Sequence, residues 1–217
     1  SLCSAICGDG IVAGPETCED GNANNNDGCN STCGVELGWN CSGTPSICSV
    51  ECADGIVAGS ESCDDGNKVN NDGCNSTCGV EFGWYCSENP SICSTVCGDG
   101  IIAGTEQCDD ENNNSTDGCN STCGVEFGWT CNDAPSVCNT TCGDGIAAGS
   151  EICDDDNLIS NDGCSSICGI EMGWYCSGTP SICSTVCGDG IIASAEQCDD
   201  ENNNSTDGCS STCGVES

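Results

Sequence analysis

Cysteine returns at fixed offsets every 45 residues, and this register limits what the chain can fold into more than any other feature. Cys7, Cys52, Cys97, Cys142 and Cys187 open successive copies without an insertion or deletion. The first copy continues with Cys18, Cys29, Cys33, Cys41 and Cys48, and later copies reproduce that spacing. Self-similarity at a fixed period of this size marks a tandem array. The chain divides into the end of a preceding repeat (1–6), repeats at 7–51, 52–96, 97–141 and 142–186, and a partial repeat at 187–217. Cys3 takes the place of the last cysteine of that preceding repeat, and all 29 cysteines are then assigned. A double period lies on top: "CDDENNNSTDGCNSTCGVE" at 108–126 returns at 198–216 with Ser210 in place of Asn120. Duplication of a repeat pair explains the echo; a rod whose alternate repeats face alternate ways would also select for it.

The rest of the composition leaves little to bury. Two Phe, two Tyr and four Trp are all the aromatics. Ordering each residue costs about 1–2 kcal/mol, so covalent staples or bound metal must supply what an apolar core does not. Zinc sites favour C-x2-C pairs, often with His. Here the close pairs are C-x3-C (Cys29/Cys33, Cys48/Cys52) and His is absent, which points to disulfides of an oxidising compartment. Six cysteines permit fifteen pairings. The preferred arrangement closes the first four of each repeat among themselves and joins Cys41 to Cys48; pairing Cys48 to Cys52 across the boundary stays open.

Gly-Asp-Gly in "CGDGIVAGPETCEDGN" and the crowded "GNANNNDGC" are turn signals. No stretch keeps a 3.6-residue period for three turns. The expected fold class is therefore small disulfide-rich repeats, mostly loops and turns with short β-strands and little helix, in a tandem linear array. Strands are expected at most around Ile11–Val12 and Val35–Trp39. Trp39, Trp84, Trp129 and Trp174 share one repeat position after Gly. They are expected to fill a small local core or the seam to the next repeat, with ligand stacking as the alternative. A compact repeat has a radius of gyration of about 9 Å, so five stacked repeats would form a rod roughly 100 Å long.

The pattern C-G-D-G…E-x-C-D-D…D-G-C-x-S-x-C followed by E-x-G-W-x-C resembles a family of cysteine-rich repeats of unknown function. That family occurs in surface proteins of myxobacteria and in secreted or surface proteins of ciliates, algae and other protists. The resemblance covers residues 7–216 and implies extracellular, disulfide-bonded, tandem modules without a known catalytic activity. Two departures stand out: "CADG" at 52–55, and Glu111, Asp156 and Glu201 where "DDGN" would place Gly. The second puts in question any backbone conformation that only Gly tolerates.

Charge excludes several partners. Thirty-six acidic residues face one basic residue, Lys68, for a formal net charge of −35. Nucleic acid is excluded, because phosphate neutralisation needs Lys and Arg, and an anionic membrane surface is disfavoured for the same reason. No apolar run approaches the roughly 20 residues of a membrane span, so no direct membrane insertion is expected. The chain opens in mid-pattern without a visible signal peptide and reads as a mature segment of something longer.

Asp9, Asp20 and Asp27, with Asp54, Asp65, Asp72 and the other repeat equivalents, are candidate calcium ligands, because clustered carboxylates supply hard oxygens. "DGNANNNDGCNS" from Asp20 lacks the Gly at 6 and Glu at 12 of an EF-hand. The alternative is a solvated acidic coat whose Asp and Asn cap turns. N-glycosylation acceptors are expected at Asn30, Asn75, Asn114, Asn120, Asn139 and Asn204. Asn40 has Cys at its centre, and Asn113 and Asn203 overlap better sites. Asn30, Asn75 and Asn120 share a position between two cysteines, which suggests one exposed face; repeats four and five carry Ser165 and Ser210 there. Catalysis has little to work with, since a Ser or Cys nucleophile lacks a His base. The expected function is a structural, non-catalytic segment of an extracellular glycosylated filament, appendage or surface coat that self-assembles or joins neighbouring chains. The alternative is an adhesive or receptor-stalk array with repeated weak sites for a protein or carbohydrate.

Overall fold

The computed structural model describes residues 5–216; Cys3 and the rest of the expected preceding repeat up to residue 4 lie outside them. The described residues contain no helix, and the only strands among them form four two-stranded antiparallel hairpins. These are β1 (Trp39–Gly43) with β2 (Ser46–Val50), and β3 (Trp84–Ser87) with β4 (Ile92–Thr95). The other two are β5 (Trp129–Asn132) with β6 (Val137–Thr140), and β7 (Trp174–Ser177) with β8 (Ile182–Thr185). The chain separates into two compact units, Ser1–Val96 with Ile101–Glu106, and Cys97–Gly100 with Gln107–Ser217.

Each repeat is a cysteine-stapled turn module followed by a hairpin. In the first, Cys7 pairs with Cys33, Cys18 with Cys29 and Cys41 with Cys48. The same pairing recurs in every later repeat, giving 14 disulfides among the described residues, with the partial repeat keeping Cys187–Cys213 and Cys198–Cys209. Sulfur is the interior. Among the described residues the buried apolar side chains are cysteines plus Ala103 and Ala193. The larger apolar residues stay out, Phe82 and Phe127 at 90% exposure.

Ile11–Val12 forms no strand. The Ile11 N–H is taken by Asp9 Oδ1 at 2.8 Å, an Asx turn that removes the donor a ladder would need. Around Val35–Trp39 the pairing is split: Val35 makes an isolated bridge to Cys29, and the ladder proper begins at Trp39. A lone hairpin is marginal in water. Here the bond between Cys41 and Cys48 spans directly paired positions, and residues alternate between the two faces in the usual period of two. The hairpin then docks on its own module. In repeat two Ser91 N–H donates to Asp64 O at 2.7 Å while Ser91 Oγ accepts from Asp64 N at 3.0 Å.

Docking depends on one glycine. Gly118 holds φ +114, and a Cβ there would lie 2.3 Å from Cys138 Cβ and 2.8 Å from Trp129 Cε3. Only a hydrogen lets the hairpin disulfide lie against the D-G-C turn.

The tryptophans sit at the seam between consecutive repeats. In the first unit a Cβ on Gly59 would lie 2.8 Å from Trp39 Cζ2, and one on Gly104 would lie 2.9 Å from Trp84 Cζ2. In the second unit Gly149 meets Trp129 in the same way, at 2.8 Å. Each ring is half-buried. The hairpin thus belongs to its own repeat through Ser and Cys, and reaches the next through Trp.

Where the sequence puts Glu111, Asp156 and Glu201 in place of Gly, the backbone keeps the left-handed conformation, with φ 65, 66 and 64. Ala53 does the same at φ 77. The turn tolerates a Cβ, at a cost of about 1–2 kcal/mol each.

Candidate functional site

The acidic residues do not form one solvated coat. They fall into three sets by what their oxygens meet. The first lies at the centre of each module: Glu19, Asp64, Asp109 and Asp154 are buried to 1% exposure or less. Asp109 Oδ2 accepts the N–H groups of Gly98 (2.7 Å) and Asp99 (3.2 Å), and its Oδ1 those of Gly100 (2.7 Å) and Glu111 (3.0 Å). The Gly-Asp-Gly turn wraps its amides around a carboxylate as it would around an anion. Burial pushes this carboxyl up, yet the N–H groups of Glu111, Gly98, Gly100 and Asp99 together hold it below the usual Asp value. Asp64 and Asp154 are lowered by the same balance. Ala53 of the "CADG" variant still donates to Asp64, at 2.7 Å.

The second set clamps loops. Glu81 accepts N–H bonds from Asn71 (2.7 Å), Asp72 (3.1 Å) and Gly73 (3.0 Å), which lower its pKa, the Asn71 bond most. Glu61 Oε2 accepts from Ala58 N at 2.9 Å. These carboxylates supply backbone acceptors that a chain without helices and with few ladders otherwise lacks.

The third set is Asp20 with Asp27 and its equivalents. Asn22 ties the pair together: its N–H donates to Asp20 Oδ1 at 3.3 Å and its Nδ2 to Asp27 Oδ2 at 3.0 Å. The remaining oxygens, Asp20 Oδ2 and Asp27 Oδ1, are sealed from solvent and accept no hydrogen bond. Asp9 does not share this burial. It is exposed, and its Oδ1 is committed to the turn at Ile11. Asp54, Asp144 and Asp189 repeat that turn. Of the three residues proposed per repeat as calcium ligands, the geometry therefore pairs two and sets Asp9 apart. Groups such as Cys52, Glu61, Asp64 and Cys78 also converge, but both sulfurs are joined to each other in a disulfide and offer no thiolate.

The sequon asparagines also separate. Asn114, Asn139 and Asn204 are exposed, whereas Asn30, Asn75 and Asn120 are half-buried rather than displayed on an open face. Asn75 Oδ1 accepts from Thr77 N (2.9 Å), Thr77 Oγ1 (2.7 Å) and Gly79 N (3.1 Å). Ser165 Oγ takes over the bond from Gly169 N, at 3.2 Å, so this position has a structural task even where no acceptor asparagine exists. The bonds go to Oδ1, leaving the task of carrying a sugar to Nδ2. Asn75 lines a groove of about 390 Å3 with Phe82 and Trp84, and Asn120 one of about 460 Å3 with Phe127 and Trp129. Sequence reading missed these grooves, because they arise only where a hairpin meets the following Ile-x-Ala-Gly segment.

The family model described as "Domain of unknown function (DUF4215)" matches residues 1–34, 36–79, 81–124, 126–169 and 170–214. A search of the curated proteins returned no match. The matched segments are offset from the cysteine frame, and the last four begin near the E-x-G-W hairpin, the element that joins one module to the next. With five tandem matches over nearly its whole length, the chain belongs to the DUF4215 family.

Proposed function

We propose that the chain is a structural, non-catalytic segment of an extracellular glycosylated filament, appendage or surface coat. The observation that carries this reading is the replacement of an apolar core by disulfides closed within each repeat. Such a module keeps its fold outside the reducing cytosol and does not depend on a partner for its interior. No helix among the described residues is long and apolar enough to cross a membrane. Catalysis finds no support in the buried carboxylates, whose oxygens are taken up by backbone N–H groups. Glycosylation fits the exposed Asn114, Asn139 and Asn204. At Asn75 and Asn120 a sugar on Nδ2 would lie over a groove containing an otherwise bare Phe, which covers apolar surface that a free chain would expose.

The grooves also favour a second reading, an array of repeated weak sites for a protein or carbohydrate. Negative-stain microscopy of native material separates the two. Ordered filaments with a spacing of one or two repeats support the structural reading; dispersed single chains under native conditions refute it. Intact mass before and after enzymatic deglycosylation tests the sugars, and an unchanged mass removes them from the proposal.

A further inference from the structure

Oε1 of Glu61, Glu106 and Glu196 is buried without a partner beside an Oε2 that clamps a turn, whereas at the Asp pair such oxygens recur in every repeat. Asp20 Oδ2, Asp27 Oδ1, Asp72 Oδ1, Asp110 Oδ1, Asp117 Oδ1, Asp162 Oδ1 and Asp200 Oδ1 each expose less than 1 Å2 and accept no hydrogen bond. Every repeat contributes at least one. Native structures rarely leave buried polar groups unmatched, because such a group loses its water without gaining a partner, the more so when charged. In repeats one and two a single Asn bridges the two carboxylates, whose charges oppose each other. In repeat four Asn157 Nδ2 donates to Asp162 Oδ2 at 3.3 Å, again leaving Asp162 Oδ1 bare. The contrast with Asp109, one residue before Asp110, is direct: that carboxylate has four N–H partners.

We propose that in each complete repeat the pair (Asp20/Asp27, Asp65/Asp72, Asp110/Asp117, Asp155/Asp162) forms the anionic half of a divalent-cation site, and that the cation is calcium. The donor set is oxygen only, which suits a hard cation and excludes zinc and copper preferences. Two carboxylates on an Asn-rich loop cannot complete a shell of six to eight oxygens. Water and loop carbonyls must supply the rest, a mixed and irregular shell that calcium accepts and magnesium does not. The affinity expected of such a site is that of extracellular modules, about 10⁻⁴–10⁻³ M. In the partial repeat Asp207 is exposed, so the sealed Asp200 oxygen lacks its counterpart and no site is expected there. Four cations would cancel about eight of the net negative charges. This site is independent of whether the chain is glycosylated or forms filaments.

The test is equilibrium dialysis of the full oxidised chain against radioactive calcium chloride in 0.15 M salt, after stripping with a chelator. Roughly four ions per chain are expected, with excess magnesium displacing few. Asp162→Asn should remove one ion, and so should Asp117→Asn in repeat three, so that one repeat can report if the other misfolds. Asp144→Asn, in the exposed turn, should leave the count unchanged. Hydrogen exchange of the variant repeat checks that its disulfide module is intact. Absence of saturable binding overturns the proposal. So does an unchanged count in both pair variants, or the loss of an ion in Asp144→Asn.

Discussion

Asp109→Asn isolates the buried carboxylate from every other feature of its repeat. The substitution keeps shape but removes charge and turns one oxygen into a donor. Asn Oδ1 can keep the N–H groups of Gly100 and Glu111; its NH2 then faces those of Gly98 and Asp99, donor against donor. A hydrogen bond to a charged group is worth about 1.5–3 kcal/mol. Losing the short bond to Gly98 and the longer one to Asp99 should lower the local opening free energy by about 3 kcal/mol, roughly a hundredfold in the opening equilibrium. Hydrogen-exchange mass spectrometry on the oxidised chain, with reduction after quenching, reads this directly. Amides of 97–107 should exchange about a hundredfold faster, while repeats one and five serve as internal controls, since repeats couple mainly to neighbours. Asp109→Glu should be mild, because Glu19 holds the same turn in repeat one through Gly8 and Gly10. Exchange in Asp109→Asn within about threefold of the parent would show that the amides do not depend on the charge, and the account of the Gly-Asp-Gly turn would fail.

Three further outcomes follow from the same geometry. The lowered carboxyls of Asp64, Asp109 and Asp154 contribute stability that is fully present above the unfolded Asp value of about 3.9 and is lost as pH falls through the lower folded values; near-ultraviolet dichroism should therefore hold flat from pH 7 to 5 and change only in strong acid. Gly118→Ala forces a Cβ into the Cys138 disulfide at an unfavourable φ and should cost about 1–3 kcal/mol from overpacking, visible as red-shifted Trp129 emission if the hairpin lifts. Glu111→Gly should raise the local opening free energy by at most about 1 kcal/mol, because relief of the left-handed strain is partly offset by unfolded-state entropy; a clear loss of protection there would mean that the Glu111 side chain has a task of its own.

The repeat frame and the sulfur interior were legible because each rests on spacing or on composition. For Trp129 the repeat position allowed a local core or a seam, and its contact with Gly149 selects the seam. Other features were not legible for a common reason. Glu19 and Asp20 are adjacent acids of the same chemistry, yet one is enclosed by amides and the other is left with a bare oxygen. That difference depends on which backbone N–H groups converge in space, and no period or propensity encodes it. The strand expected at Ile11–Val12 failed similarly, since the Asp9 side chain competes for the donor. The hairpins escaped notice because their inward face is cysteine and tryptophan on a stretch rich in Ser and Asn, so hydrophobic alternation is faint. Asp9 was grouped with Asp20 and Asp27 on recurrence, and recurrence cannot tell a turn-capping acid from a paired one.

Closure of every described bridge inside its own 45-residue copy has a consequence for how such proteins change length. Adding or deleting a whole copy leaves all sulfur partners in place and presents each neighbour with a Trp joint, on Gly59, Gly104 and Gly149 at three of the boundaries and beside Ser194 at the fourth. A gene of this kind can therefore lengthen or shorten in steps of one or two copies without relearning how to oxidise, and the 90-residue echo is the record such a step would leave.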